Sequence, residues 1–305
     1  MTNAAYRPFF GFTKEPFGAD LKIEELLITP ALKGVKDRLE YAFRLGAMAV
    51  VTGEVGSGKS TALRFATSHL HPSEWRLLWV TASCGSILEL YRQLCWSLEM
   101  ETKSSSRAVM SRMIQGQVRK TVEGKKQRVA LLIDEASLLR LEVFLELHTL
   151  AQFEADSKPL LPIVFAGQNN LLDKLQFRAS GPLSSRVVAR SHLEGVDRAQ
   201  MELYLNHHLQ IAGVKQPLFA DQAITAIHQG AGGLFRRANH LARGALIAAA
   251  SEKCQIVSAE QADQLKANVA MHQRIGIPAL VVTADDVRRL APSFATDDFE
   301  FAGYE

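Results

Sequence analysis

Val50-Val51-Thr52-Gly53-Glu54-Val55-Gly56-Ser57-Gly58-Lys59-Ser60-Thr61 runs from an apolar strand end, through a glycine-rich turn, into a Gly-Lys-Ser that opens a helix. The spacing fits G-x-x-x-x-G-K-[ST], the loop that closes around nucleoside triphosphate phosphates. Gly53, Gly56 and Gly58 allow backbone conformations that a Cβ would forbid, so successive N–H groups can turn inward onto phosphate oxygens. The helix that follows points its positive end at the same anion. Lys59 adds a full charge at the β- and γ-phosphates, and Ser60 offers a hydroxyl to Mg2+. Gly53, Glu54, Val55, Gly56, Ser57, Gly58, Lys59, Ser60 and Thr61 are therefore the expected nucleotide site.

On the N-terminal side, Pro30 begins a helical pattern in which Leu32, Val35, Leu39, Ala42, Phe43 and Leu45 recur until Gly46. Ala47 to Thr52 is a short apolar run suited to a strand buried on both faces. Beyond the loop the pattern predicts a helix over 59–70, a strand over 76–83, a helix over 87–98, and strands over 129–133 and 161–166. Strands separated by helices make an α/β fold, a parallel sheet covered by helices. From about Val196 no strand pattern is read; helical stretches at 198–212, 220–229, 234–252 and 258–272 predict a smaller all-helical domain. Phe9, Phe10, Phe12 and Phe17 in the first 30 residues either pack onto a core or wall a base pocket.

Composition places few limits beyond these. With 305 residues, 47% hydrophobic and 22% charged, the chain is ordinary for a globular protein of about two domains. Its net charge of +3 does not by itself imply a nucleic-acid partner. Cys84, Cys95 and Cys254 lie far apart, as expected of thiols in a reducing compartment rather than a metal site or disulfide framework. The start is too short and polar for a signal peptide, and no apolar run of about 18 residues is present. A cytoplasmic protein with no membrane partner is expected.

Further along, Val129-Ala130-Leu131-Leu132-Ile133 ends in Asp134-Glu135. Beside a phosphate loop, Asp134 is suited to hold Mg2+ with Ser60, and Glu135 to polarise an attacking water. At the end of the fourth strand, Gln168 is the better candidate to help position that water, although Gln168 or Asn169 could equally cap a helix. Arg186, followed by Arg190, precedes the helical domain; it either reaches a neighbouring subunit's γ-phosphate or is a surface residue. Gly232-Gly233-Leu234-Phe235-Arg236-Arg237 turns into a helix that opens with two arginines.

In this order the motifs resemble the AAA+ ATPases, and more narrowly the ExeA-like group. The opening FFGFTKEPF, TGEVGSGKS, LLIDEA, the strand ending AGQNN and GLFRRAN carry the resemblance over about residues 9–270. It implies a P-loop AAA+ parallel sheet in residues 1–195, a helical lid in 196–272 and a tail in 273–305. It further implies ATP and Mg2+ as cofactors. Lys59, Ser60, Asp134 and Glu135 become the catalytic core, Gln168 sensor 1, Arg186 an arginine finger, and Arg236 sensor 2. Asn169 and Phe235 stand where this group usually has proline.

Members of the group work either on protein partners in secretion and envelope assembly, or in transposition, as TniB-, MuB- and TnsC-like ATPases that coat target DNA and recruit a transposase. Between Thr102 and Arg128 there are eight basic residues and one acid. Lys103, Arg107, Arg112, Arg119 and Lys120 among them are candidate contacts to double-stranded DNA, sequence-nonspecific and salt-sensitive; a solvated helix face is the plainer alternative. The expectation is an ATPase that forms a homo-oligomer (a hexameric ring or helical filament) on DNA and serves a transposase. The alternative is an envelope-assembly ATPase acting on proteins. Asp297, Asp298, Glu300 and Glu305 make an acidic, aromatic tail, either disordered or partner-docking.

Overall fold

The computed structural model describes residues 6–82, 86–101, 103–261, 280–282 and 302–304, the last two segments as backbone alone. Cys84, the end of the helix predicted over 258–272 and the acidic residues of the tail lie outside the described residues. The chain divides into two compact units, residues 28–193 and residues 1–27 with 194–305. The aromatic N-terminal segment therefore groups with the helical unit, where the sequence reading had joined it to the α/β domain.

The first unit opens with α2 (Pro30–Leu45), preceded by the short α1 (Tyr6–Phe10) of the other unit. Thr29 caps α2 by accepting from Leu32 N at 3.2 Å, with Pro30 at the first position, where its missing N–H costs nothing. Gly46 closes it at φ 64°, and a Cβ there would stand 2.2 Å from Pro159 O, so backbone conformation and space both demand glycine. The remaining elements are β1 (Met48–Gly53), α3 (Lys59–Thr67), β2 (Trp75–Thr81), α4 (Ile87–Ser97), α5 (Arg107–Arg119), β3 (Arg128–Asp134), α6 (Leu141–Leu150), β4 (Ile163–Gly167), α7 (Asn170–Gln176), α8 (Gly181–Ser184) and β5 (Val187–Leu193).

The sheet order is β2-β3-β4-β1-β5 and every pairing in it is parallel. β1, β3 and β4 read as continuous apolar runs because both faces are covered. Ala49, Val51, Ala130, Leu132, Val164 and Ala166 pack with α2 and α3 in one core. Their neighbours Met48, Val50, Leu131, Ile133, Ile163 and Phe165 pack with α4, α5 and α6 in another. The period-two alternation of strand side chains explains the division.

β5 corrects the sequence reading, which ended the sheet at four strands. It lies at an edge, alternating buried Ala189, Ser191 and Leu193 with exposed Val188, Arg190 and His192. Leu280–Val282 (β6) and Ala302–Tyr304 (β7) pair antiparallel in a region where no strand was expected.

The second unit is built on α9 (Arg198–Ile211), α10 (Asp221–Ala231) and α11 (Phe235–Ser251). Tyr6, Phe10, Phe12 and Phe17 are buried in its core with Leu205, Leu209, Ile227 and Leu246. Phe17 stacks on His208 at 5.2 Å between centroids. His208 is 2% exposed, and burial, then His207 and Lys14, hold its imidazole down to about 4. A histidine depressed in the native state favours folding above its unfolded pKa of about 6.5 and loses that contribution as pH falls towards the native value. Unfolding free energy is expected to drop by roughly 3 kcal/mol between pH 7 and pH 4 on this account. Urea titrations of wild type and His208→Gln across that range check it: the variant should lack this part of the slope.

Candidate functional site

The register aligns the carboxyl ends of the strands. Thr52 lies beside Gly167, Gly53 beside Leu193, Ile133 beside Phe165, and Thr81 beside Asp134. The glycine-rich turn, the Asp134-Glu135 pair and Gln168-Asn169 therefore emerge on one edge of the sheet, the side on which open parallel sheets bind ligands.

In the turn, Gly56 and Gly58 take φ 84° and 96°, conformations that exclude a Cβ. A Cβ on Gly53 would meet Leu193 O and Ser57 Oγ, each at 2.5 Å. Lys59 is 7% exposed and its Nζ donates to Gly53 O at 3.0 Å and Glu54 O at 2.9 Å, which carries the ammonium across the mouth of the loop. Ser57 Oγ is buried with no hydrogen-bond partner among the described residues. A shell of N–H groups, a buried ammonium and an unpaired hydroxyl fit the phosphates of a nucleotide.

The metal candidates meet directly. Ser60 Oγ donates to Asp134 Oδ2 at 2.6 Å, although the two are 74 residues apart. A hydroxyl and a carboxylate are the hard oxygen donors that suit Mg2+. Asp134 Oδ1 accepts from Glu135 N at 2.9 Å, so the carboxylate is oriented from both sides. Glu135 itself has φ 52° and ψ 32°. A non-glycine residue in that region is uncommon, and such residues concentrate where surrounding structure holds them for function.

That surrounding structure is identifiable. Glu135 leads into the 3-10 turn Ala136–Leu138, against which the end of β4 is pressed: a Cβ on Gly167 would stand 2.8 Å from Ser137 N. Lys174 of α7 donates to Ser137 O at 2.5 Å and to Leu139 O at 2.8 Å, clamping the turn from the other side. Lys174 was not singled out in the sequence, because a lysine bonded to carbonyls leaves no spacing signal.

Gln168 lies half-buried at the end of β4. Its neighbour Asn169 is the residue tied to the phosphate loop, donating Nδ2 to Glu54 Oε1 at 3.0 Å. On β5, which flanks β1, His192 Nδ1 meets Thr52 Oγ1 at 3.0 Å, a contact sequence reasoning also missed.

Arg186 lies elsewhere. Its backbone O accepts from Met48 N at 3.0 Å at the amino end of β1 and β5, the end opposite Gly53. β5 spans seven residues, so Arg186 is roughly 20 Å from the loop of its own subunit. The guanidinium is paired with Asp156. His148, beside this pair, is held below its ordinary pKa first by burial and then by the Arg186 charge, with Asp156 opposing. In the helical unit, Gly233 at φ 74° sits where a Cβ would meet Val196 O at 2.5 Å, and this close crossing sets the start of α11. Arg236 and Arg237 are exposed in its first turn.

Of the basic residues, Lys103 precedes α5, Arg107 opens it, Arg112 and Arg119 lie on it, and Lys120 follows it. All are exposed. Arg107 is partly engaged, 3.8 Å from Glu146. Arg112, Gly116 and Arg119 recur at helical spacing and line one exposed face, with open space at Gly116.

Residues 44–175 match the family described as AAA domain. The chain is 29% identical over 246 residues to the general secretion pathway protein A of Aeromonas hydrophila, covering 80% of this chain and 45% of that protein. It is 31% identical over 124 residues to the ATP-dependent target DNA activator B of Escherichia phage Mu, covering 41% and 37% respectively. It thus spans less than half the length of these curated relatives. Among solved structures, the ORC1 protein of Aeropyrum pernix in complex with DNA superposes with a TM-score of 0.63 at 14% identity, over 91% of this chain and 72% of that one. That likeness concerns the fold alone. The match to the secretion protein spans about twice as many residues as the match to the phage protein.

Proposed function

We propose that this chain, whose α/β unit is an AAA domain of the ExeA-like kind, hydrolyses ATP with Mg2+ at a site completed by a neighbouring copy, and uses that cycle to drive assembly on a protein partner. The observation that carries the reading is the Ser60–Asp134 hydrogen bond, which joins the phosphate loop to the acidic strand end at 2.6 Å. In the proposed site Lys59 and the loop N–H groups bind the phosphates, and Ser60 and Asp134 hold Mg2+, which offsets charge on the phosphates when bound. Glu135 orients the attacking water and accepts its proton. Gln168 or Asn169 fixes that water from the β4 side, while Arg186 of a neighbouring subunit supplies a cation.

Phosphate release measured over a range of protein concentrations tests it: the rate per subunit should rise with concentration and vanish without Mg2+. Glu135→Gln is expected to lower hydrolysis by about 10²- to 10⁴-fold, the scale of general base removal. The same variant should retain ATP affinity, so fluorescent-nucleotide binding would be preserved and the assembled state would persist.

The second reading keeps the same ATP cycle and places it on double-stranded DNA with a transposase as partner. The exposed Arg112, Arg119 and Lys120 favour it, together with the match to the phage target-DNA activator. Binding to duplex DNA with and without ATP across a salt series decides between the two. A steep, ATP-dependent salt slope supports DNA, and each replaced phosphate contact should reduce it by about 1. Absence of binding at low salt leaves the protein-partner reading.

A further inference from the structure

Between α6 and β4, the segment Glu154-Ala155-Asp156 has φ values of 48°, 51° and 71°. Three successive non-glycine residues on the left-handed side are costly and persist only where their surroundings over-determine them. Here both flanks are fixed. Phe153 is 1% exposed in the core and bridged to Lys158, and Lys158 Nζ lies 2.8 Å from Glu154 and 3.4 Å from Glu123. Ser157 N donates to Glu154 O at 3.2 Å. Held in this way, the tip brings the Asp156 carboxylate onto the Arg186 guanidinium.

The pair borders a cavity of about 600 Å³ that His148, Gln152, Pro159 and Ser185 also line, at the amino ends of β1 and β5. Arg186 is 23% exposed and Asp156 49%, so the guanidinium is held inward while its partner faces water. An ion pair this exposed is weak. A triphosphate carries more charge than one carboxylate and presents paired oxygens to the guanidinium fork, so it can displace the carboxylate.

We propose that Asp156 is a positioning residue for Arg186: it holds the guanidinium within the free subunit and yields it to the nucleotide of a neighbouring copy. This rests on the reading above in which Arg186 acts across a subunit boundary. Each new subunit contact then exchanges an internal pair for an external one, which raises the protein concentration that assembly needs.

The test is ATP hydrolysis against protein concentration for wild type, Asp156→Asn and Asp156→Glu, with thermal unfolding to confirm that each variant folds. Asp156→Asn removes the charge at constant shape. Its half-maximal concentration should fall by about two- to fivefold, the scale of an exposed ion pair, with the maximal rate per subunit no lower than wild type. Asp156→Glu keeps the charge and should behave as wild type. A misfolded loop would raise the concentration needed, so the expected direction is one that damage does not produce. An unchanged or higher half-maximal concentration for Asp156→Asn overturns the proposal, as does a lower maximal rate, which would mean that Asp156 aligns Arg186 in the assembled state. In the Arg186→Ala background, where turnover no longer rises with concentration, the midpoint of ATP-dependent assembly followed by sedimentation must not move when Asp156→Asn is added; a shift there runs through some other group and overturns the proposal too. Wild-type behaviour of Arg186→Ala alone would instead remove the reading of Arg186 on which the proposal stands.

Discussion

Lys59→Ala is expected to abolish ATP turnover and, with it, every ATP-dependent step of assembly. The side chain is 7% exposed and its ammonium lies on the carbonyls of Gly53 and Glu54, at the centre of the loop mouth. Truncation removes the single full charge that the loop itself offers to the phosphates; the N–H groups and helix end remain as partial charges. Removing one preorganised electrostatic group in a desolvated site costs about 10²–10³ in rate, and loss of phosphate affinity adds to this. Lys59 also bonds two carbonyls, so part of the effect will be local loosening of the loop. Lys59→Arg separates the two: it keeps charge and donors but is longer and planar, so it should recover binding before turnover. Calorimetry with a non-hydrolysable ATP analogue and phosphate release are the two readouts. Lys59→Ala that still assembles with ATP would contradict the account.

Arg186→Ala is expected to be as damaging to turnover while leaving nucleotide affinity nearly intact. Cations supplied to phosphoryl transfer from outside the binding loop contribute about 10³–10⁵ in rate. The fold places Arg186 at the opposite end of β1 and β5 from Gly53, several side-chain lengths from its own loop, so any contact with a γ-phosphate is with another copy's. The variant should therefore bind ATP as wild type does and hydrolyse it at the level of an isolated subunit, whatever its concentration. Arg186→Lys should recover little, because a point charge does not reproduce the planar fork.

How much of this was legible follows from physical cause. The loop and the acidic strand end could be read because each position there admits few residue types: glycine where φ is positive, lysine and serine where the proposed site would meet phosphate and Mg2+. β1, β3 and β4 could be read because strands covered on both faces are unbroken apolar runs. β5 was missed because it is an edge strand in which Arg190, Ser191 and His192 break the apolar run. The N-terminal aromatics admitted two readings; in the structure Tyr6, Phe10, Phe12 and Phe17 are core residues of the helical unit. Pairs made by long-range folding, such as Asn169 with Glu54, Lys174 with Ser137 and Asp156 with Arg186, leave no trace in local spacing. The left-handed backbone at Glu135 was equally silent, since a glutamate there reads as an ordinary helix start.

The claim on which the rest depends is that each ATP site is built from two copies of the chain. Mixing Lys59→Ala with Arg186→Ala tests it most directly, because one retains the arginine and the other the loop. Each variant alone should be inactive. An equal mixture should regain up to about a quarter of the wild-type phosphate release, the share of random interfaces that join an intact loop to an intact arginine in a head-to-tail assembly. A mixture as inactive as its parents would contradict the account.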